Sequence, residues 1–235
     1  MNPRMLAVIP AFNEQESLGA VLGEIARVDG VDAVVINDGS GDATSEVARS
    51  AGFPVIDLPV NSGMFCAIQA GFRFALRRGY NIVVQVDADG QHDPAGIPAL
   101  VRPIVEHDLD VVIGSRFLGE VQYRMPRSRL LGTRLFAWIT SILVRQRITD
   151  TTCGFRAYGP AAIRLFATDT SFEFRDAVGL VMLKRGGFSL AEVPTVVRPR
   201  HSGESSISML SSILYPFHYL LALAVVYLRE PVRRI

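Results

Sequence analysis

A chain of 235 residues with 49% hydrophobic residues and a net charge of +1 can bury one sizeable core, and its near-neutral balance speaks against a nucleic-acid binder. Its two cysteines, Cys66 and Cys153, lack metal-ligand spacing and suggest no disulfide framework. The N-terminus runs straight into a strand pattern instead of a secretory signal, so the cytosolic side is the expected location.

Residues 5–9 read as an apolar strand that Pro10 is expected to end, and residues 14–28 as a helix with Leu18, Val21, Leu22 and Ile25 on one face. Residues 31–36 form the next strand, followed by the turn Asn37, Asp38, Gly39, Ser40, Gly41 and a helix over 44–51 capped by Asp42. A short strand over 54–58 and a helix over 62–78 lead to residues 81–94, NIVVQVDADGQHDP, around which the chain is organised. Ile82, Val83, Val84 and Val86 are apolar without alternation, as in a parallel strand covered on both faces.

That strand delivers Asp87, Ala88, Asp89, Gly90 and Gln91 to its end. Two carboxylates at the end of a core strand need partners. A hard divalent cation such as Mg2+ takes oxygens from one or two carboxylates together with substrate phosphates. Ala88 leaves room, Gly90 permits a turn and Gln91 offers a further oxygen; a surface turn rich in Asp and Gly fits the same residues. Pro94 then sits in the first turn of a helix, and residues 109–113 form a fifth strand that ends in Gly114, Ser115 and Arg116. Such β-α alternation implies a parallel sheet with helices on both faces, its ligands gathering at the strands' carboxyl ends.

The common nucleotide fingerprints are absent. Pro10, Ala11, Phe12, Asn13 and Glu14 follow the first strand in place of G-x-G-x-x-G, and no P-loop, G-x-S-x-G or H-E-x-x-H occurs. Instead Glu14, Asp38, and Asp87 with Asp89 follow three of the strands and make an acidic rim on one side of the sheet.

PAFNE, NDGSGDAT, DADGQHDP and GSRF, in this order and spacing, resemble family 2 glycosyltransferases of GT-A fold. Asp150-Thr-Thr-Cys-Gly-Phe-Arg156, then Glu192-Val-Pro194, then Arg200 with Gly203 and Ser205, narrow the resemblance to dolichol-phosphate mannose synthase and the bacterial polyprenyl-phosphate glycosyltransferases, over about residues 5–206. The resemblance implies a single α/β domain of GT-A type over residues 1–205, with a Rossmann-like, mostly parallel sheet. It also implies an inverting, metal-dependent transfer of a hexose to a dolichyl or undecaprenyl phosphate. The donor would be a nucleoside-diphosphate sugar of the GDP-mannose or UDP-glucose type.

Residue roles follow from the same resemblance. Pro10, Phe12, Glu14, Ile36 and Asp38 match positions that hold the nucleoside. Asp87, Ala88 and Asp89 match diphosphate positions and, with Gln91, those of a divalent cation, Mg2+ or Mn2+. Arg116 and Arg200 match cations near the phosphates, acting with Asp89 in catalysis. Arg129 and Thr133, on one face of a helix, match residues that grip the lipid phosphate. Glu173 and Asp176 fall where relatives carry acids, in a loosely matched region. Three positions depart from the pattern. Phe65 replaces a glycine in N-x-G-x-G-x-A, Asn37 replaces the first acid of an Asp-Asp pair, and Ser206 stands where a lysine is common, so that one cation near the diphosphate is either absent or replaced by Arg198.

Residues 121–149 contain no acid but carry Arg124, Arg127, Arg129, Arg134, Arg145 and Arg147 around the apolar run 130–143 with Trp138. A basic, aromatic-bearing amphipathic helix lies in a membrane interface and meets anionic headgroups, although a core helix with solvated arginines at its ends reads similarly. Residues 206–235 form an apolar C-terminal segment whose dense part, 213–228, is interrupted by Pro216 and is short of the ~20 residues that span a bilayer. It is expected to lie in the interface or to dock on a membrane-protein partner, followed by a basic tail of Arg229, Arg233 and Arg234. The resulting expectation is a peripheral protein on the cytoplasmic membrane face. Two other readings stay open: an acceptor hydroxyl on a glycan or lipid-linked saccharide, which requires an Asp or Glu base, and a nucleotide-sugar-binding scaffold without turnover.

Overall fold

The apolar runs become the strands of one sheet in the computed structural model, which describes residues 3–118, 127–169, 176–198, 221–223, 225–228, 231–232 and 234, with only the backbone for 127–129, 131 and 176. The strands are β1 (Met5–Ala11), β2 (Val31–Asn37), β3 (Val55–Asp57), β4 (Ile82–Gln85), β5 (Val111–Ser115), β6 (Arg156–Tyr158) and β7 (Leu190–Pro194). Their spatial order is β3-β2-β1-β4-β6-β5-β7. All pairs are parallel except those of β6, which runs antiparallel to both β4 and β5. The helices are α1 (Leu18–Ile25), α2 (Thr44–Ser50), α3 (Met64–Arg78), α4 (Ile97–His107), α5 (Arg127–Val144), α6 (Pro160–Thr168) and α7 (Asp176–Arg185). The fold is therefore the expected mostly parallel α/β sheet.

The strand expected to stop at Pro10 continues to Ala11. Proline is tolerated there because β1 and β4 pair only as far as Val8 opposite Gln85, whereas β1 follows β2 to Ala11 opposite Asn37. The carbonyl of Val8 accepts from Val86 on the β4 side and that of Ala11 from Asp38 on the β2 side. By alternation, the nitrogen of Pro10 faces the side where no strand waits for an N–H. Helix α1 starts at Leu18, later than expected, because Glu14 to Ser17 make turns closed by the N–H groups of Ser17 and Leu18 on the Glu14 carbonyl.

β6 separates β4 from β5, and its short segment Arg156-Ala157-Tyr158 is buried throughout. Beneath the sheet, Phe72, Tyr158 and Phe166 meet with ring centroids 4.9 to 5.2 Å apart. Gln69 and Arg73 of α3 donate to the carbonyls of Phe166, Ala167 and Asp169, satisfying acceptors that the end of α6 leaves open. Residues 221–223 and 225–228 are helical, and Leu223 and Val232 join the core. Arg185 donates to the carbonyl of Val226, while Arg234 pairs with Asp110 at 3.0 Å. The described end of the chain thus packs on its own domain. No helix among the described residues is long and apolar enough to cross a membrane.

Helix α3 lies close on β1 at Gly71, where an added Cβ would stand 2.2 Å from Cγ1 of Val8. Gly71→Ala is expected to cost about 1–3 kcal/mol by overpacking. Val8→Ala in the same chain should return part of that loss, as read by urea denaturation; simple additivity of the two costs would show that they do not share the contact.

Candidate active site

The strand order places β2 and β3 on one side of β1 and β4 on the other. The crevice opening where β1 and β4 part is the topological switch point at which such sheets bind ligands. On its β1–β2 side, two loops are tied together. Asn13, at φ 56°, donates its N–H to Ser40 Oγ and accepts from the Gly41 N–H. Gln15 accepts from the Ala43 N–H, Asp42 Oδ2 accepts from the Gln15 N–H, and Thr44 Oγ1 accepts from the Glu14 N–H. The cap of α2 expected at Asp42 falls instead on Ala43, which makes no side-chain cap bond; Asp42 stands one residue earlier and accepts the Thr44 N–H at 3.0 Å.

Of the five nucleoside positions, Phe12 is exposed, Glu14 is half-buried with Ser17 donating to its carboxylate at 2.6 Å, and Pro10 is buried. Ile36 is 0% exposed within the core, so its side chain is not offered to a ligand. Asp38 accepts the N–H groups of Ser62 and Gly63, both at 2.8 Å, and so holds the start of α3; each oxygen keeps a further lone pair. Two of the departures find physical reasons here. Gly63, at φ 86°, makes the turn and Phe65 lies inside the first turn of α3, where no glycine is required. Asn37 donates to Ser45 Oγ at 3.0 Å and Asp57 Oδ1 at 2.8 Å, and a carboxylate at 37 could donate to neither.

On the β4 side stand Asp87 and Asp89, the latter 5% exposed and accepting the Gln91 N–H at 3.0 Å. Asp87 Oδ1 is buried without a hydrogen-bond partner, and Oδ2 lies 3.6 Å from His92 Nε2. An orphaned buried carboxylate oxygen is costly unless something of opposite charge meets it. Gly154 backs directly onto this group: a Cβ there would fall 2.8 Å from Oδ2 and 3.0 Å from Oδ1. Oxygen donors of this kind suit a hard cation completed by substrate phosphates, since among the described residues no three His, Cys, Asp or Glu side chains converge to hold one alone. Gln91 points part of its amide elsewhere, Nε2 donating to the Arg198 carbonyl at 3.4 Å.

Residues 150–155 lead into β6 at the carboxyl ends of β4 and β5, where Arg156 pairs with Gln85 and Ile113. Arg116, at the end of β5, forms a two-pronged pair with Asp150, Nε to Oδ2 at 2.6 Å and Nη2 to Oδ1 at 2.8 Å, and Nη2 also donates to Thr152. The expected phosphate cation thus serves a fully buried carboxylate. Burial pushes the Asp150 carboxyl up, but the Arg116 hydrogen bonds and charge, with N–H groups of Arg116 and Thr152, outweigh it and hold the carboxyl below its ordinary value. Glu192 accepts the N–H groups of Thr149 and Asp150, and burial lifts its carboxyl above the ordinary value despite those bonds, the charge of Asp150 adding to the rise. Arg156 donates to the carbonyls of Thr151 and Cys153, closing the stretch.

Thr133 is buried on α5, while Arg129 is described by its backbone alone, in the first turns of the same helix. On another face of α5, Arg134, Leu135, Trp138 and Ile142 are exposed. An open groove of about 840 Å³ runs there, lined by Leu130, Trp138, Ile142 and three arginines, 134, 145 and 147, and it reaches Phe117 and Thr149 beside the Arg116–Asp150 pair. Arg198 does not replace a phosphate cation: it pairs with Glu24 at 2.8 Å and Asp93 at 3.0 Å, fixing the strand exit to α1 and to the turn before α4. Arg200, Glu173, Ser206, Arg124, Arg229 and Arg233 lie outside the described residues, and Asp176 is described by its backbone only. His92 and Gly154 stand inside the DADGQHDP and 150–156 motifs, but nothing in their residue type assigns them a role there.

Removing one partner of the Asp150 pair leaves Arg116 poorly compensated, so Asp150→Asn is expected to cost about 3 kcal/mol at pH 7. A carboxyl held low in the fold contributes stability above its unfolded pKa, about 4, and loses it as pH falls through the folded value. The gap between wild type and variant in urea denaturation should therefore narrow below about pH 4. A gap independent of pH would remove the ion pair from the account.

Residues 6–172 match the family described as Glycosyl transferase family 2. The chain is 34% identical over 226 residues to the undecaprenyl-phosphate mannosyltransferase of Micrococcus luteus, covering 87% of this chain and 88% of that one. It is 31% identical over 216 residues to the polyprenol monophosphomannose synthase of Mycolicibacterium smegmatis, with 87% and 81% covered. To the dolichyl-phosphate hexose transferase of Haloferax volcanii it is 31% identical over 207 residues, with 86% of each covered. The fold matches glucosyl-3-phosphoglycerate synthase from Mycobacterium tuberculosis, crystallised with Mn2+, uridine diphosphate and glucosyl-3-phosphoglycerate, at a TM-score of 0.72 and 20% identity over 96% of this chain and 80% of that one. With its motifs ordered along a GT-A sheet and the family pattern matched from β1 to beyond α6, the chain belongs to glycosyl transferase family 2.

Proposed function

We propose that the chain transfers a hexose from a nucleoside-diphosphate sugar to a polyprenyl phosphate held at a membrane surface. The observation that carries this reading is the placement of Asp87 and Asp89 at the β1–β4 switch point, with Asp87 Oδ1 buried and unpartnered. Asp87 and Asp89, with Gln91, are the residues proposed to hold a divalent cation, Mg2+ or Mn2+, whose chemistry there is neutralising charge on the departing diphosphate. The relatives named for polyprenol and dolichyl phosphate products support the acceptor class, and the Mn2+ in the similar structure supports a divalent ion.

In this reading the tied loops of β1 and β2 seat the nucleoside against Phe12 and Glu14. The acceptor phosphate lies on the α5 side, where Arg129 and Thr133 are proposed to orient it for attack with inversion. Its oxygen is ionised near neutral pH, so no strong base is required. A hydroxyl acceptor does require one, and among the described residues the buried Asp150 and the half-buried Glu192 are already committed to Arg116 and to backbone N–H groups. The exposed residues Leu135, Trp138 and Ile142 with Arg134 and Arg145 suit a helix lying in an anionic interface.

The function is tested with labelled nucleotide sugars and polyprenyl phosphate, reading lipid-extractable label with and without chelator. Asp89→Asn is expected to lower turnover on the order of 100-fold, because a preorganised charge is lost at the diphosphate, while thermal unfolding stays near wild type. Full activity in the variant or in excess chelator would sink the metal-assisted reading. Replacing both Arg134 and Trp138 by alanine should reduce cosedimentation with anionic vesicles, and unchanged recovery would move the membrane contact away from α5.

A further inference from the structure

His92 stands behind the carboxylate pair and has no part in the function so far. It is 5% exposed, its ring stacks on Phe155 with centroids 5.1 Å apart and planes at 23°, and its backbone bridges to Val197. Ring stacking on one side and backbone pairing on the other leave the imidazole little freedom to turn. Its Nδ1 accepts the N–H of Asp87 at 3.3 Å. An acceptor nitrogen carries no proton, so in the neutral ring the proton sits on Nε2. Nε2 faces two groups, Asp87 Oδ2 at 3.6 Å and Cys153 Sγ at 4.0 Å. Burial pushes the Cys153 thiol up to about 12, with the charge of Asp150 adding, so near neutral pH it is a weak acceptor beside a carboxylate. Of the two, the carboxylate is the stronger acceptor, although its 3.6 Å contact is not yet a hydrogen bond.

We propose that His92 is a positioning residue that grips Asp87 twice, at the backbone N–H and at Oδ2, and turns Oδ1 into the crevice to meet the cation and diphosphate. At 3.6 Å the second contact is longer than a hydrogen bond, and a small rotation of the carboxylate toward the ring closes it. Gly154 leaves the space for that rotation, since any side chain there would press on both oxygens. Outer partners of this kind fix the orientation of a ligating group, and their loss typically costs 10–100-fold in metal affinity. The inference rests on Asp87 and Asp89 holding the cation.

Two variants separate the ring's nitrogens. His92→Gln can place an amide N–H near the Nε2 position, whereas His92→Asn reaches only the Nδ1 position; both remove the stacking on Phe155. Mn2+ binding is measured by calorimetry in the presence of saturating GDP or UDP, with thermal unfolding alongside. Glutamine is expected to stay within about threefold of wild type and asparagine to weaken Mn2+ binding about 10–100-fold. Equal loss in both variants, or none in asparagine, overturns the positioning role while leaving the cation site standing. Absence of Mn2+ binding by the wild type under either nucleotide overturns the cation site and this inference together. An independent measurement needs no variant to fold alike: the imidazole 15N shifts of His92 in the wild-type chain should report the Nε2–H tautomer, and an Nδ1–H tautomer overturns the proposal.

Discussion

The pairing of β1 with β4 ends at Val8 opposite Gln85 while β1 keeps company with β2 to Ala11, and the site's geometry depends on this parting. Parallel strands that separate at their carboxyl ends leave a crevice at the switch point, where ligands of open α/β sheets bind. Pro10 contributes by having no N–H to offer across the gap. Asp38 then follows β2 and Asp87 and Asp89 follow β4, on either side of β1, although two helices and two strands lie between them in sequence. Asp38 spends its carboxylate on the start of α3, which fixes the floor, and Asp87 keeps an oxygen unspent.

The opposite half is held by a different kind of bond. β6 enters between β4 and β5 against their direction, so its preceding residues cross the site instead of leaving it. Arg116, Asp150, Thr149 and Glu192 keep that crossing in place through buried charge and backbone N–H groups. The cost of burying these groups is offset only because each is matched, as buried ion pairs require. Gly154 can then lie against Asp87 because its neighbours are fixed.

The first five strands and the helices between them were legible because unbroken apolar runs and turn residues alternate cleanly there. β6 was not, since three residues carry no periodicity and antiparallel insertion has no local signature. The acidic rim was legible by residue type, but its division of labour was not: sequence cannot tell that Asp38 is an anchor for Ser62 and Gly63 whereas Asp87 is unspent. Arg198 failed as a phosphate cation for the same reason, because Glu24 and Asp93, its partners, are remote in the chain. Within the described part of the apolar C-terminal segment, Leu223 and Val232 join the core whereas Leu221, Val225, Tyr227 and Leu228 are exposed, a division that hydropathy alone does not give.

The amide at Asn37 has a consequence for how this chain can vary. Asn37 and Asp57 form a donor–acceptor couple across β2 and β3, with Ser45 and Arg49 also turned to Asp57. An acid at 37 would bring two carboxylates into hydrogen-bond range, where they must share a proton or one must go. The two positions therefore cannot drift separately. A lineage that carries an acid at 37 needs a neutral or donating residue at 57, and the path between the two arrangements passes through a mismatched pair.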